Sequence, residues 1–79
     1  MGAEIIIYST PACAPCETLK RILTSEGLAF QVKDLLVDTD AAQMMDQRGI
    51  RSVPVLSIDG ELHYGEMLEL NRLAELLDL

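Results

Sequence analysis

Ile5-Ile6-Ile7-Tyr8-Ser9-Thr10-Pro11-Ala12-Cys13-Ala14-Pro15-Cys16 runs from an apolar stretch through a proline turn to two cysteines three positions apart. No other cysteine occurs in the 79 residues. The stretch up to Ser9 is short, β-branched and nearly continuous in apolar side chains, which predicts a strand buried on both faces. Beyond the cysteines, Leu19, Ile22 and Leu23 share one face and Gly27 supplies a stop. A helix is therefore predicted from Cys13 or Ala14 to Glu26. Pro15 fits its first turn, where a backbone N–H has no intrahelical partner to lose. A helix N-terminus carries unsatisfied N–H groups and roughly half a positive charge, and both stabilise a thiolate. Cys13, at the helix start and nearer solvent, is the candidate nucleophile. Cys16, one turn in, is placed to displace whatever mixed disulfide Cys13 forms.

Working outward, Phe30 to Leu36 reads as a second strand, with Phe30 and Val32 alternating against Gln31 and Lys33. Asp38-Thr39-Asp40 reads as an N-cap cluster opening a helix that runs through Met44 and Met45 to Arg48 and closes at Gly49. Val55 to Ile58 and Glu61 to Tyr64 flank Asp59-Gly60, a two-residue hairpin signal. Residues 66–77 carry Met67, Leu70, Leu73, Ala74 and Leu77 at helical spacing. The order is β-α-β-α-β-β-α. A β-α-β start demands parallel strands and the hairpin adds an antiparallel edge, so a four-stranded mixed α/β sheet with helices on both faces is expected, as one domain over residues 1–79.

Composition narrows the functions. The chain is 49% hydrophobic with a net charge of −7 and a pI near 4.4, which argues against nucleic acid and anionic membranes. No apolar run reaches membrane-spanning length. Met1-Gly2-Ala3-Glu4 lacks the basic region of a secretory leader, and Ile6 stands where a myristoylation pattern wants Ser or Thr. A cytoplasmic setting is expected, where paired cysteines are redox-active or metal-binding rather than structural. Metal binding stays open on the residues alone: two cysteines and the lone His63 make most of a zinc site, which a carboxylate would have to complete. For His63 the plainer reading is a solvent-facing residue of an edge strand, and for Met44, Met45 and Met67 it is core filling.

Taken together, the strand, Thr-Pro-x-Cys-x-x-Cys, helix, Val53-Pro54, Asp-Gly hairpin and closing helix resemble the glutaredoxin branch of the thioredoxin superfamily over nearly the whole chain. The resemblance implies a thioredoxin fold and a monomeric thiol–disulfide oxidoreductase. Such a protein reduces protein or glutathione mixed disulfides and donates hydrogen to enzymes such as ribonucleotide reductase. It implies a cis Pro54 facing the cysteines, where the sequence alone favours an ordinary trans proline opening a strand. It also implies that the Val53 backbone pairs with an extended peptide or glutathione. Tyr8, Thr10 and Pro11 would line the cleft, with Arg51, Gly65 and Glu66 as further substrate or glutathione contacts. No bound cofactor or metal is implied; glutathione would act as reductant, or thioredoxin reductase would, as in NrdH-type redoxins.

The departures from that pattern concern the reductant. Thr10 stands where many members have Lys, and Glu17 stands where a basic residue is common. Tyr64-Gly65-Glu66 keeps one Gly and one acid of a Gly-Gly-acid glutathione grip, and the Gly-Phe-Arg-Pro run of NrdH-type redoxins is missing. Pro15 precedes the second cysteine, as in thioredoxin's Cys-Gly-Pro-Cys. That order shifts the expected potential from roughly −200 to −230 mV toward about −270 mV. A copper-carrier reading, also built on Cys-x-x-Cys after a first strand, wants Met where Pro11 stands and leaves Val53-Pro54 unexplained. A dimer bridging an iron–sulfur cluster with glutathione is a third reading.

Overall fold

The computed structural model describes residues 4–65 and 75. In chain order the elements are β1 (Ile5–Ser9), α1 (Ala14–Ser25), β2 (Gln31–Asp34), α2 (Thr39–Gln47), β3 (Val55–Ile58) and β4 (Glu61–Tyr64). The predicted closing helix, with Met67, lies outside the described residues. The sheet order is β2-β1-β3-β4. β1 runs parallel to β2 and antiparallel to β3, and β3 pairs antiparallel with β4. This is the mixed four-stranded sheet expected from the element order.

Alternation along β1 explains its unbroken apolar sequence, because successive side chains leave opposite faces of a strand. Ile5 and Ile7 pack with Leu19 and Leu23 of α1 and with Leu56. Tyr8 packs with Ala41 and Met45 of α2, with Ile50 and with Val55, and Ile6 adds to that second cluster. Among the described residues one helix therefore covers each face, and β1 meets apolar surface on both. Ile7, Leu23, Leu56 and Val55 are fully enclosed, each worth about 1.5–3 kcal/mol of burial.

Local chemistry sets the boundaries. Gly27 (φ 71°) lets the Leu28 N–H return to the Leu23 carbonyl at 3.0 Å, ending α1. The Asp38 carboxylate accepts the Ala41 N–H at 3.0 Å as the N-cap of α2. Asp59 (φ 51°) and Gly60 (φ 87°) are both left-handed, as a type I′ hairpin turn requires. Asp59 also ties the start of β1 down, accepting the Glu4 N–H and donating its own N–H to the Glu4 carbonyl, both at 2.9 Å.

The second strand is shorter than the sequence suggests. Asp34 stops it: its carboxylate accepts the Leu36 N–H at 2.8 Å, and its carbonyl accepts from Val37 and Asp38 at 3.0 and 2.8 Å. An Asx turn of this kind offers the backbone an alternative to the sheet ladder. Phe30, just before the strand, still packs on the α1 side. Val32, on an edge strand, stays 45% exposed where alternation predicted burial.

Candidate active site

The turn between β1 and α1 is made by Ala12, a non-glycine residue in the left-handed region at φ 57°. It sets Cys13 in extended geometry as the N-cap of α1. An N-cap side chain can take the N–H of the second or third helical residue. The second is Pro15, which has none, so the Cys13 sulfur accepts from the third, the Cys16 N–H, at 3.2 Å. The Cys13 carbonyl accepts the Glu17 N–H at 3.1 Å and starts the helical ladder. Negative charge arriving on Cys13 Sγ would thus meet a donor already aimed at it and the positive end of a 12-residue helix.

Cys13 and Cys16 are joined as a disulfide, with Cα atoms 5.3 Å apart. Their exposures differ: Cys13 is half-buried, while Cys16 is 1% exposed. Only Cys13 is open to a sulfur approaching from outside.

Sheet register collects the remaining candidates at the same end of the molecule. Tyr8 pairs with Val55, and Val55 pairs with Tyr64. Pro54, one residue before Val55, and Gly65, one residue after Tyr64, therefore flank the edge from which Thr10 to Cys13 emerge. The Val53–Pro54 peptide bond is cis, as the resemblance implied, and both residues are half-buried. Thr10 is half-buried, and Pro11, Arg51 and Gly65 are exposed. Tyr8 differs in kind, being only 6% exposed and packed in the α2-side core. Glu66 lies outside the described residues.

Glu17, the carboxylate nearest to Cys13 along the helix, holds the Lys20 ammonium at 3.0 Å on the surface. The i,i+3 spacing was the available signal for that pair. Nothing in the sequence marked Ala12 as left-handed, since alanine does not favour that region. Among the described residues no three His, Cys, Asp or Glu side chains come together as metal ligands. His63 sits half-buried on β4, paired with Leu56.

A half-buried sulfur on a helix N-terminus, disulfide-bonded to a buried partner sulfur, and a cis proline at the same sheet end define a redox Cys-x-x-Cys site of the thioredoxin-like class. Comparison with known proteins narrows this. The glutaredoxin family model matches residues 5–63, and the chain belongs to that family of thiol–disulfide oxidoreductases. It is 35% identical over 66 residues to glutaredoxin 3 of Escherichia coli K12, covering 80% of this chain and 76% of that one. Among solved structures it resembles the thioredoxin-like protein BC3987, with a TM-score of 0.79 and 29% identity over 94% of this chain and 100% of that one. The glutaredoxin-like NrdH-redoxin of E. coli, described as having a thioredoxin-like activity profile, matches with a TM-score of 0.73 and 26% identity over 78% and 82% of the two chains. The chain spans only 56% of the length of another relative, the Gene 56 protein of Mycobacterium phage L5, at 33% identity over 58 residues. Among the described residues no helix is long and apolar enough to cross a membrane.

Proposed function

We propose that the chain is a dithiol glutaredoxin-type reductase of protein and glutathione mixed disulfides, acting as a single-domain cytoplasmic monomer over residues 1–79. Reduced Cys13, as thiolate, attacks one sulfur of the substrate disulfide. That S–S bond breaks, Cys13 enters a mixed disulfide, and the displaced substrate sulfur leaves as a thiolate and takes a proton. Cys16, deprotonated, then attacks Cys13 Sγ, forming the Cys13–Cys16 bond and releasing the second substrate thiol. Two electrons pass from the dithiol to the substrate. Val53 and Pro54 frame the substrate chain, and Thr10, Pro11, Arg51, Gly65 and Glu66 make its remaining contacts. An enzyme that must regenerate a dithiol after each turnover, such as ribonucleotide reductase, is the proposed client.

The observation that carries this reading is the Cys13 sulfur accepting the Cys16 N–H at a helix N-cap while Cys16 itself is buried. The reductant divides it into two versions. Glutaredoxins draw on glutathione, and Gly65 supports that source. Pro15 before the second cysteine and the likeness to NrdH-redoxin support thioredoxin reductase. NADPH consumption with a disulfide substrate tests both, using glutathione plus glutathione reductase in one arm and thioredoxin reductase in the other. Turnover in the first arm alone makes the protein a glutaredoxin in function, and in the second alone an NrdH-type redoxin. Turnover in neither, or near-stoichiometric copper or zinc in the purified protein, overturns the reading.

A further inference from the structure

The large apolar side chains that stand exposed among the described residues fall within six consecutive positions: Val32 at 45%, Leu36 at 71% and Val37 at 78%. Scattered single apolar residues on a surface need no explanation, but a cluster does. This one occupies the outer edge of the sheet, on β2 and the turn that follows it. The Asp34 turn fixes it there: with the Leu36 N–H bound to the Asp34 carboxylate, Leu36 and Val37 are held outside both core clusters.

The segment lies near the cysteine loop. Asp34 pairs with Ser9, and the Leu35 N–H donates to the Ser9 carbonyl at 2.9 Å. Ser9 is four residues before Cys13, a span of at most about 14 Å of extended chain. The apolar segment therefore leaves the sheet beside the loop that carries Cys13. Along the chain its charged neighbours are mostly acidic, Asp34, Asp38 and Asp40 against Lys33. The chain as a whole carries −7, so a second copy would meet like charge at this surface, whereas a cationic partner would meet its complement.

We propose that Leu36 and Val37 form a docking surface for protein disulfides flanked by apolar and basic residues, and that this surface makes the protein selective for such partners over small disulfides that carry no such side chains. The proposal rests on the oxidoreductase reading above. A two-carbon disulfide such as hydroxyethyl disulfide has no apolar or basic side chain to lay on this edge, so a peptide disulfide gains from it and the small one does not.

The test compares wild type with the double variant L36N/V37N on three substrates, with dithiothreitol as the recycling reductant. One is a short peptide cyclised by its own disulfide with Leu and Lys flanking a cysteine. The second is the same peptide with Ser and Glu there, and the third is hydroxyethyl disulfide. The expected result is a loss of about tenfold to a hundredfold in kcat/KM on the Leu/Lys peptide, the effect of losing two apolar contacts, with the rate on hydroxyethyl disulfide unchanged. Raising the salt should slow wild type on the Leu/Lys peptide and modestly speed it on the Ser/Glu peptide, whose Glu meets like charge. Equal rates of variant and wild type on the Leu/Lys peptide would overturn the docking surface while leaving the oxidoreductase reading intact. A similar loss on all three substrates would overturn it too, because the substitution would then have damaged the site itself. Concentration-dependent dimers of wild type that L36N/V37N abolishes would assign the surface to self-association instead. A wild type inactive on every substrate would bring down both readings.

Discussion

Replacing Cys16 separates the two steps of the proposed cycle. Cys16 is 1% exposed, so it neither meets substrate nor stabilises it. Its proposed task is to attack Cys13 from within, across Cα atoms 5.3 Å apart. Well-oriented intramolecular reactions reach effective concentrations of about 10⁵ M and above. Discounted by several powers of ten for a thiol that must ionise in a buried place, this still leaves about 1 M against about 1 mM of external thiol. Cys16→Ala should therefore slow release from the mixed disulfide by about 10³-fold, and the Cys13 adduct should accumulate to one per chain. The assay is mass spectrometry of the quenched protein beside steady-state reduction of the Leu/Lys peptide. Alanine is the better substitution, because serine would bury a hydroxyl whose unpaired desolvation costs about 1–3 kcal/mol. Circular dichroism separates a folded, trapped variant from an unfolded one. Turnover by Cys16→Ala within tenfold of wild type would refute the resolving role. An adduct found on Cys16 in wild-type protein would refute the order of attack.

Other expectations follow from the same geometry. Leu23→Ala removes a fully enclosed side chain from between Ile5, Ile7, Leu19 and Leu56. It should lose about 3–5 kcal/mol, close to the whole stability of a domain this small, so urea melts should begin from a largely unfolded baseline. Glu17→Gln frees the Lys20 ammonium and removes a carboxylate one turn from Cys13. Alkylation of the reduced protein by iodoacetamide should speed up about twofold to threefold at low salt, and the gain should vanish near ~0.5 M salt. Ala12→Gly should raise the urea midpoint of the oxidised protein by the equivalent of about 0.5–1 kcal/mol, since glycine relieves the left-handed backbone; an unchanged midpoint would mean that Ala12 bears no strain.

The sequence was most legible where one side chain has one use. The short, β-branched Ile5–Tyr8 run reads as a buried strand, and Asp59-Gly60 as a two-residue hairpin turn. Cys13 and Cys16 announced their chemistry by spacing and by the strand before them. Val53-Pro54 was ambiguous as local sequence, and its cis bond was expected only through the family resemblance. What escaped depended on neighbours. Val32 alternates correctly, yet burial also needs a cover, and a strand at the sheet edge has fewer covers than β1 does. Strand and turn compete at Asp34, where a side-chain oxygen decides the outcome. The resemblance puts Tyr8 in the cleft, and β1's alternation packs most of it against α2.

The departures around the cysteines share one physical consequence. Thr10 brings no cation to the site, and Lys20, the closest cation along the helix, is held by Glu17. Pro15 withholds the N–H that the second helical residue would otherwise offer to the N-cap. The helix's own side chains therefore bring little positive charge to a Cys13 thiolate, which meets the Cys16 N–H and the end of α1. A nucleophile supported by backbone is supported only while that backbone is helical. The packing of Leu19 and Leu23 against β1 thus sets reactivity as well as stability, because fraying of the first turn would remove the donor and the dipole together.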